Sequence, residues 1–404
     1  WSSDVCSSDL EHIESLITKG MNLLSQMEAR GRSPENNKKL MRRWNLKETS
    51  EEIGRSVSSI QKAQITLLEQ GLMDPLEKHP QTGRLAGYTL RQLNQLRKHF
   101  GKFPHRSSEV DECLVLAIQS FKGGVGKTVT SLSVAQYLAT QGYRILFVDM
   151  DSQASATSTF GYIPDTDIAY EETLMPFFKG DQTTLDYCIR ETYWEGLDLI
   201  PANLQLYELE LSSFDAMKNM SVEDRQVIFS DLAAGLNQIK HKYDIIIIDS
   251  PPALGITSLN ILFAADALII PLPPGFYEFS STLQYLNMIR DILNITTPDK
   301  TYKFIKILLT NVTNHFNHKE MIPKIREVYG QHLLQNRFYH TSEVGNAAIE
   351  FQTALEVRRP QKRALDIINK FCEEIEIEIV KTWPSKKNQL TKNANIIIEE
   401  TEYA

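Results

Sequence analysis

A doubly wound α/β domain on a mostly parallel sheet, preceded by a small all-α module, is the fold class this sequence predicts. Three observations predict it. Five short, nearly continuous apolar runs, LVLAIQS (114–120), RILFVD (144–149), DIIIID (244–249), ALIIPL (267–272) and FIKILLT (304–310), have the composition of strands covered on both faces. Helical segments separate them, including 130–140, 222–239 and 280–293, and this alternation gives parallel sheets with helices on both sides. Ahead of residue 107 the pattern is helical, with short turns and no such run.

The bulk numbers agree. At 404 residues the chain suits two or three domains. Its 42% hydrophobic and 23% charged residues are those of an ordinary globular protein with a sizeable core. No apolar run approaches the roughly 20 residues that span a bilayer, and no secretory signal is visible. Cys6, Cys113, Cys188 and Cys372 are scattered without pairing or metal-ligand spacing, the usage of a reducing cytoplasm. The expected divisions are 1–10, 11–39, 40–106, 107–380 and 381–404, the last a polar, irregular stretch expected to be a loose tail.

Residues 1–10, WSSDVCSSDL, resemble the translation of a sequencing-library adapter and contain no initiator Met, so they are set aside and the true N-terminus is expected to be missing. Residues 11–39 hold an amphipathic helix over 11–28 and a linker. Ile13, Leu16, Ile17, Leu24 and Met27 recur at mostly three- and four-residue spacing, which suits pairing with a second copy or packing on the same chain.

Residues 40–106 form the helical module. A first helix is expected over 47–53, a turn at Gly54-Arg55-Ser56, and a second helix from 58 to 70 before Gly71. A polar connection, HPQTGRLAGY, leads to a third helix over 90–100. Two helices joined by a short Gly-containing turn make a helix-turn-helix, although three-helix modules without nucleic-acid partners share that pattern. Between 29 and 106 there are 16 Lys and Arg against 7 Asp and Glu, in a chain of net charge −8. A basic module on an acidic body points to a polyanionic partner, against the plainer reading of a solvated surface. Ser58, Ser59, Gln61 and Lys62 open the second helix, where short polar side chains approach bases and phosphates closely. With Arg84 in the connection they are the candidate contacts to specific DNA.

The segment LVLAIQSFKGGVGKTVTSL puts a Gly-rich loop between a buried strand and a helix. Glycines allow positive φ and let backbone N–H groups surround phosphate oxygens, and the helix N-terminus adds its positive end. The candidate nucleotide contacts are Lys122, Gly123, Gly124, Val125, Gly126, Lys127, Thr128 and Val129. Lys127 would reach the β- and γ-phosphates and the Thr128 hydroxyl would serve Mg²⁺. Asp249 comes after DIIII at a strand end and would hold Mg²⁺ through water. Asp149 and Asp151 end the second strand in FVDMDSQAS, and Pro251-Pro252 come directly after Ser250.

In this loop Phe121 stands where the ordinary G-x-x-x-x-G-K-[ST] pattern has its first Gly, and Lys122 precedes Gly123-Gly124. KGGVGKT matches the deviant Walker signature, so the chain resembles the ParA/MinD superfamily of dimeric ATPases, and VDMDSQ resembles its second signature. The resemblance implies that Lys122 crosses to the partner's nucleotide, much as an arginine finger does. It implies that Asp151 places the attacking water, and that Asp149, Pro251 and Pro252 serve the switch region.

The likeness narrows from residue 47 to about 370. FKGGVGKTVTSLSVAQYLATQGYRILFVDMDSQASATSTFGY, GLDLIPANLQLYELE, PLPPGFYEFSSTLQYL and the segment over 83–101 resemble the larger plasmid-partition ParA/RepA proteins with an N-terminal helix-turn-helix. That resemblance implies a cytoplasmic, nucleoid-associated ATPase using ATP and Mg²⁺. Such a protein would form an ATP-dependent homodimer that coats DNA without sequence preference, be stimulated by a ParB-type partner, and repress its own operon.

Other classes fit less well. A MinD-type membrane ATPase wants a basic amphipathic C-terminal helix, whereas FCEEIEIEIV is acidic. An iron–sulfur carrier needs cysteines in its motifs. A metabolic P-loop ligase has no evident need for a helix-turn-helix. A repressor that binds ATP without turning it over stays open. For non-specific DNA the candidates are Arg358, Arg359, Lys362 and Arg363 in VRRPQKRAL, where cations at a helix start oppose its dipole; a solvated patch is the alternative.

Overall fold

The computed structural model describes residues 3–31, 41–79, 82–102, 106–211, 222–253, 255–297, 299–357 and 361–386. The N-terminal part carries α1 (Ser3–Gly31), α2 (Leu46–Ile53), α3 (Val57–Glu69) and α4 (Leu90–His99). The remainder alternates β1 (Leu114–Ile118), α5 (Lys127–Gln141), β2 (Ile145–Asp149), α6 (Ser155–Thr159), α7 (Pro164–Asp167), α8 (Met175–Phe178), β3 (Arg190–Glu191), β4 (Leu197–Ile200) and α9 (Val222–Ile239). It continues with β5 (Ile245–Asp249), α10 (Ile256–Ala264), β6 (Ala267–Leu272), α11 (Phe276–Thr296), β7 (Phe304–Leu309), α12 (Phe316–Tyr329), α13 (Ser342–Ile349) and α14 (Lys362–Lys381).

One sheet runs in the order β3-β4-β2-β5-β1-β6-β7, parallel except where β3 meets β4. All five apolar runs are strands, and every residue of β1, β2, β5 and β6 is buried. Val115 and Ala117 of β1 face a core shared with Leu232, Leu236 and Ile239 of α9. Leu116 and Ile118 face the opposite core, with Leu132 and Leu138 of α5 and Phe371 and Ile375 of α14. Burying each such side chain contributes about 1.5–3 kcal/mol, so helices on both faces hold the sheet. The order reverses at β1, which places the loop after β1 in the crevice where α/β sheets bind ligands.

β3 and β4 are additions to the expected strands. Asp198 interrupts the apolar run of β4, and its carboxylate is satisfied by the Tyr243 hydroxyl at 2.8 Å.

In the module, Trp44, Ile60, Leu67, Tyr88, Leu93 and Leu96 form a core of their own. Asn45 and Glu48 cap α2 reciprocally, Gly54 ends it at φ +62°, and Ser56 caps α3. The described residues of the polar connection, 79 and 82–88, are held by backbone pairing. Backbone pairs Lys78 with Leu85 and Trp44 with Tyr88 in antiparallel bridges, which makes a small wing. Gly87 sits there at φ +93°, and a Cβ on it would meet the Trp44 carbonyl oxygen at 2.7 Å.

Several expectations change. The exposed basic surface is smaller than the charge count implied, because Arg97 and Arg106 are buried. Arg97 donates to the Thr140 carbonyl of α5 at 2.6 Å and pairs with Glu52 at 3.5 Å, whereas Arg106 pairs with Asp244 at 2.9 Å. Helix α1 extends beyond its expected bounds into residues 3–10. Ile13, Leu16 and Ile17 are exposed on it, so at these positions it does not pack on its own chain; the side chains of Leu24 and Met27 lie outside the described residues.

A loose tail from residue 381 is corrected at its start. Trp383 is fully buried, donates its indole N–H to the Glu112 carbonyl at 3.0 Å and packs on Tyr143, and Ser385 hydrogen-bonds Asp111. A polar neighbourhood hid this single aromatic anchor. Trp383→Ala is expected to lower stability by about 3–5 kcal/mol, as for other buried Trp truncations. Denaturant unfolding checks this, and a change under about 1 kcal/mol, the scale of an ordinary surface substitution, would return the segment to the tail.

Candidate active site

The loop between β1 and α5 has the geometry its sequence implies. Gly124 and Gly126 lie at φ +71° and +89°, and Gly126 is the N-cap of α5 with no side-chain cap. The first N–H groups of α5 therefore remain available to an anion. Gly123 and Gly124 are exposed, whereas Val125 is buried. Two residues after β7, to which the sequence analysis gave no site role, brace the loop from behind. Thr310 Oγ1 donates to the Val125 carbonyl at 2.7 Å, and Asn311 Nδ2 donates to the Gly124 carbonyl at 3.1 Å. Their only sequence signal is position, at the end of an apolar run. Pro252 approaches the space where Gly123 lacks a Cβ, at 3.7 Å, and Pro251 beside it is half-buried.

Lys127 is buried at 6% exposure, and its Nζ donates to the Lys122 carbonyl at 2.9 Å. Burial lowers its pKa, and the charges of Asp249 and Asp151 oppose that shift. Thr128 and Val129 come next, both half-buried. Ser131, one turn beyond Lys127, donates to Asp249 Oδ1 at 2.8 Å. The sequence reading missed Ser131, although its i+4 spacing from Lys127 put it on the same face. Asp249 Oδ2 is buried and makes no hydrogen bond of ordinary length among the described residues, although the Thr128 hydroxyl lies close enough to this carboxylate to oppose the effect of burial on its pKa.

Parallel register sets Asp149 of β2 beside Asp249 of β5. Burial raises the pKa of both carboxyls, and for Asp149 the neighbouring Asp249 charge adds to it. Asp149 Oδ2 accepts from the Thr157 backbone N–H at 2.9 Å and its hydroxyl at 2.7 Å, which fixes α6 against the strand end. Asp151 is 9% exposed and its Oδ1 accepts from the Gln153 N–H at 3.0 Å; burial raises its pKa too. Ala154, three residues on, is held at φ +51°.

A cavity of about 450 Å³ opens beside the loop. Thr128, Val129, Gln153, Ser155, Val344 and Phe351 are among its lining residues. Nothing in the sequence signals it, because it joins α5 and α6 to the region of α13. Lys122 points elsewhere, to Glu278 on α11 at 2.6 Å.

Of the DNA candidates, Ser58, Gln61 and Lys62 are exposed on α3, and Arg84 is exposed on the wing. The hydroxyls of Ser58 and Ser59 are engaged with Ser56 at 3.0 and 2.9 Å. Lys362 and Arg363 are exposed at the start of α14, while Arg358 and Arg359 lie outside the described residues. Arg363 shares a polar cavity of about 510 Å³ with Arg337 and Lys370. Among the described residues no helix is long and apolar enough to cross a membrane, and no His/Cys/Asp/Glu group of three could hold a metal by itself.

Known proteins resemble this chain in sequence and fold. Residues 113–300 match the family described as AAA domain. Protein SopA of Escherichia coli (strain K12) is 34% identical over 86% of this chain and 91% of its own length. A solved structure described as a partition protein matches 92% of this chain and 99% of its own, with TM-score 0.63 at 18% identity, and so shares the fold, the N-terminal part included. A cobyrinic acid a,c-diamide synthase from Mycobacterium smegmatis, with bound ATP analogue and magnesium, matches 65% of this chain and 93% of its own (TM-score 0.52, 27% identity). With the deviant phosphate loop seated at the switch point of the sheet and SopA alike over nearly its whole length, this chain belongs to the ParA/RepA-type plasmid partition ATPases.

Proposed function

We propose that the chain hydrolyses ATP to ADP and phosphate, and that ATP binding closes it into a homodimer that segregates replicon DNA. One observation carries the reading most directly. A buried carboxylate oxygen of Asp249, with no hydrogen bond of ordinary length among the described residues, lies beside a buried lysine, Lys127, behind a glycine loop at a helix N-terminus. A buried carboxylate oxygen left without a partner is costly, and a hydrated Mg²⁺ would satisfy it, with Thr128 as the second protein group. Bound there, the ion would neutralise phosphate charge. The chain does the remainder.

Lys127 and the N–H groups of Gly123 to Val129 grip the phosphates. Asp151 orients the attacking water, and Asp149 ties α6 to the strand end, so that α6 and Pro251-Pro252 respond as a switch. The cavity beside Val129 is within the usual size range of ligand pockets and takes the base and ribose. Lys122 acts across the dimer on the partner's nucleotide. A ParB-type protein stimulates turnover. Residues 40–106 are the DNA-binding module, and the ATPase domain extends from 107 to at least 386.

The reading includes two DNA surfaces. The exposed Gln61 and Lys62 on α3, with Arg84 on the wing, read an operator upstream of the chain's own gene and so repress it. Lys362 and Arg363, with Arg337 and Lys370 around the shared polar cavity, hold non-specific DNA, and dimerisation doubles that surface. Binding to the upstream region and to random duplex DNA, with ATP and across a salt series, tests both. Gln61→Ala with Lys62→Ala is expected to weaken operator binding by about tenfold or more, leaving random-duplex binding and ATPase rate intact. Lys362→Ala with Arg363→Ala is expected to lower random-duplex affinity and flatten its salt slope by about two. No protection of the upstream region would remove the repressor role. An unchanged salt slope would move the non-specific surface to the module.

A further inference from the structure

The ammonium of Lys122 is already occupied within one chain. It lies 2.6 Å from Glu278 Oε1, with the two side chains 35% and 27% exposed. Glu278 sits in the first turn of α11, where the helix dipole favours a carboxylate. The hydrogen bond from Lys122 is the main reason its pKa is lowered. His318 of α12 also faces this carboxylate. A Cβ at Gly275 would lie 2.1 Å from Glu278 Oε2, so the missing side chain is what leaves room for this pose. Phe276 and Tyr277, the residues just before, are exposed at 68% and 77%.

We propose that Glu278 clamps Lys122 within the single chain and competes with the partner's nucleotide for the same ammonium, thereby setting the threshold of the ATP-driven dimer. This rests on the action of Lys122 across the dimer proposed above. A lysine ammonium is a compact, strongly hydrated point charge on a flexible stem, so it can leave one anion for another without any backbone change. A triphosphate offers it more negative charge than a carboxylate does. A diphosphate offers less, and Glu278 then recovers the lysine as the dimer opens. In a two-fold symmetric dimer both clamps must release, so the effect on the dimer constant counts twice. A partly exposed ion pair is individually modest, which puts the combined effect on the order of tenfold.

The test is light scattering over a protein titration at saturating ATP, repeated with ADP. It uses wild type, Glu278→Gln, Glu278→Asp, Lys122→Ala and the double variant Lys122→Ala with Glu278→Gln. Glu278→Gln should dimerise at about tenfold lower concentration with ATP and should part more slowly with ADP. Glu278→Asp, which keeps the charge, should stay within about threefold of wild type. In the Lys122→Ala background, Glu278→Gln should change nothing. If Glu278→Gln matches wild type while Lys122→Ala abolishes dimerisation, the clamp is wrong and the lysine's role stands. If Glu278→Gln tightens the dimer equally in both backgrounds, the carboxylate acts by repelling phosphates and the clamp is overturned. If Lys122→Ala dimerises like wild type, the lysine's role across the interface falls, and the clamp with it.

Discussion

Lys127→Ala is expected to lower ATP turnover by about 10²–10³-fold or more, the cost of removing a preorganised group that stabilises transition-state charge. The effect is large because the lysine is poised in advance. The residue is 6% exposed, its ammonium is held by one hydrogen bond to the Lys122 carbonyl, and Asp249 and Asp151 are close by. Phosphates would take over from that single carbonyl. The fold has little at stake in the same side chain, since burial already disfavours its charge. Its loss leaves the Lys122 carbonyl beside an exposed glycine pair that water can reach. Phosphate release and a thermal melt separate the two effects. Turnover within about tenfold of wild type, with an unchanged melt, would take Lys127 out of the phosphate site.

Asp151→Ala is expected to slow hydrolysis by about 10²–10⁴-fold, the usual worth of a positioned proton acceptor, while ATP-bound dimers still form. Among the described residues the Asp151 carboxylate accepts one hydrogen bond, from the Gln153 N–H two residues on, so its loss costs the fold little, and burial raises its pKa. Asp149 should behave differently despite lying two residues away. Its carboxylate satisfies both the N–H and the hydroxyl of Thr157, so Asp149→Ala orphans buried donors at about 1–3 kcal/mol each and should lower the melting temperature. Single-turnover phosphate release with light scattering distinguishes them. An Asp151→Ala protein that hydrolyses at the wild-type rate, or that no longer dimerises with ATP, would contradict the water-placing role.

The five apolar strands were legible in the sequence because each is a short, nearly continuous apolar run, and α9 because Phe229, Leu232, Leu236 and Ile239, all buried, recur at helical spacing. The phosphate loop was legible because its chemistry is carried by consecutive residues, with the glycines, lysines and threonine adjacent in the chain. β4 was not, because one polar residue in a strand of four breaks the pattern, and its satisfaction by Tyr243 is a contact across 45 residues. The start of the tail misled for the converse reason. Trp383 is buried by what it packs against, and its polar neighbours in sequence say nothing of that.

Taken alone, then, the sequence determined the α/β class, the position of the phosphate loop, the acidic residues at the strand ends and the order of the two modules. Each of these is encoded by neighbours in the chain or by a local period. The tertiary structure decided what depends on distant segments meeting. It set Asp149 beside Asp249 through strand register and put Thr310 and Asn311 behind the loop. It removed Arg97 and Arg106 from the basic surface by burying them in ion pairs, and it gave Lys122 a partner 156 residues away. A hydrophobic period is a property of a segment, whereas a charge's role is set by whatever is within a few ångströms of it, and only the folded chain fixes that.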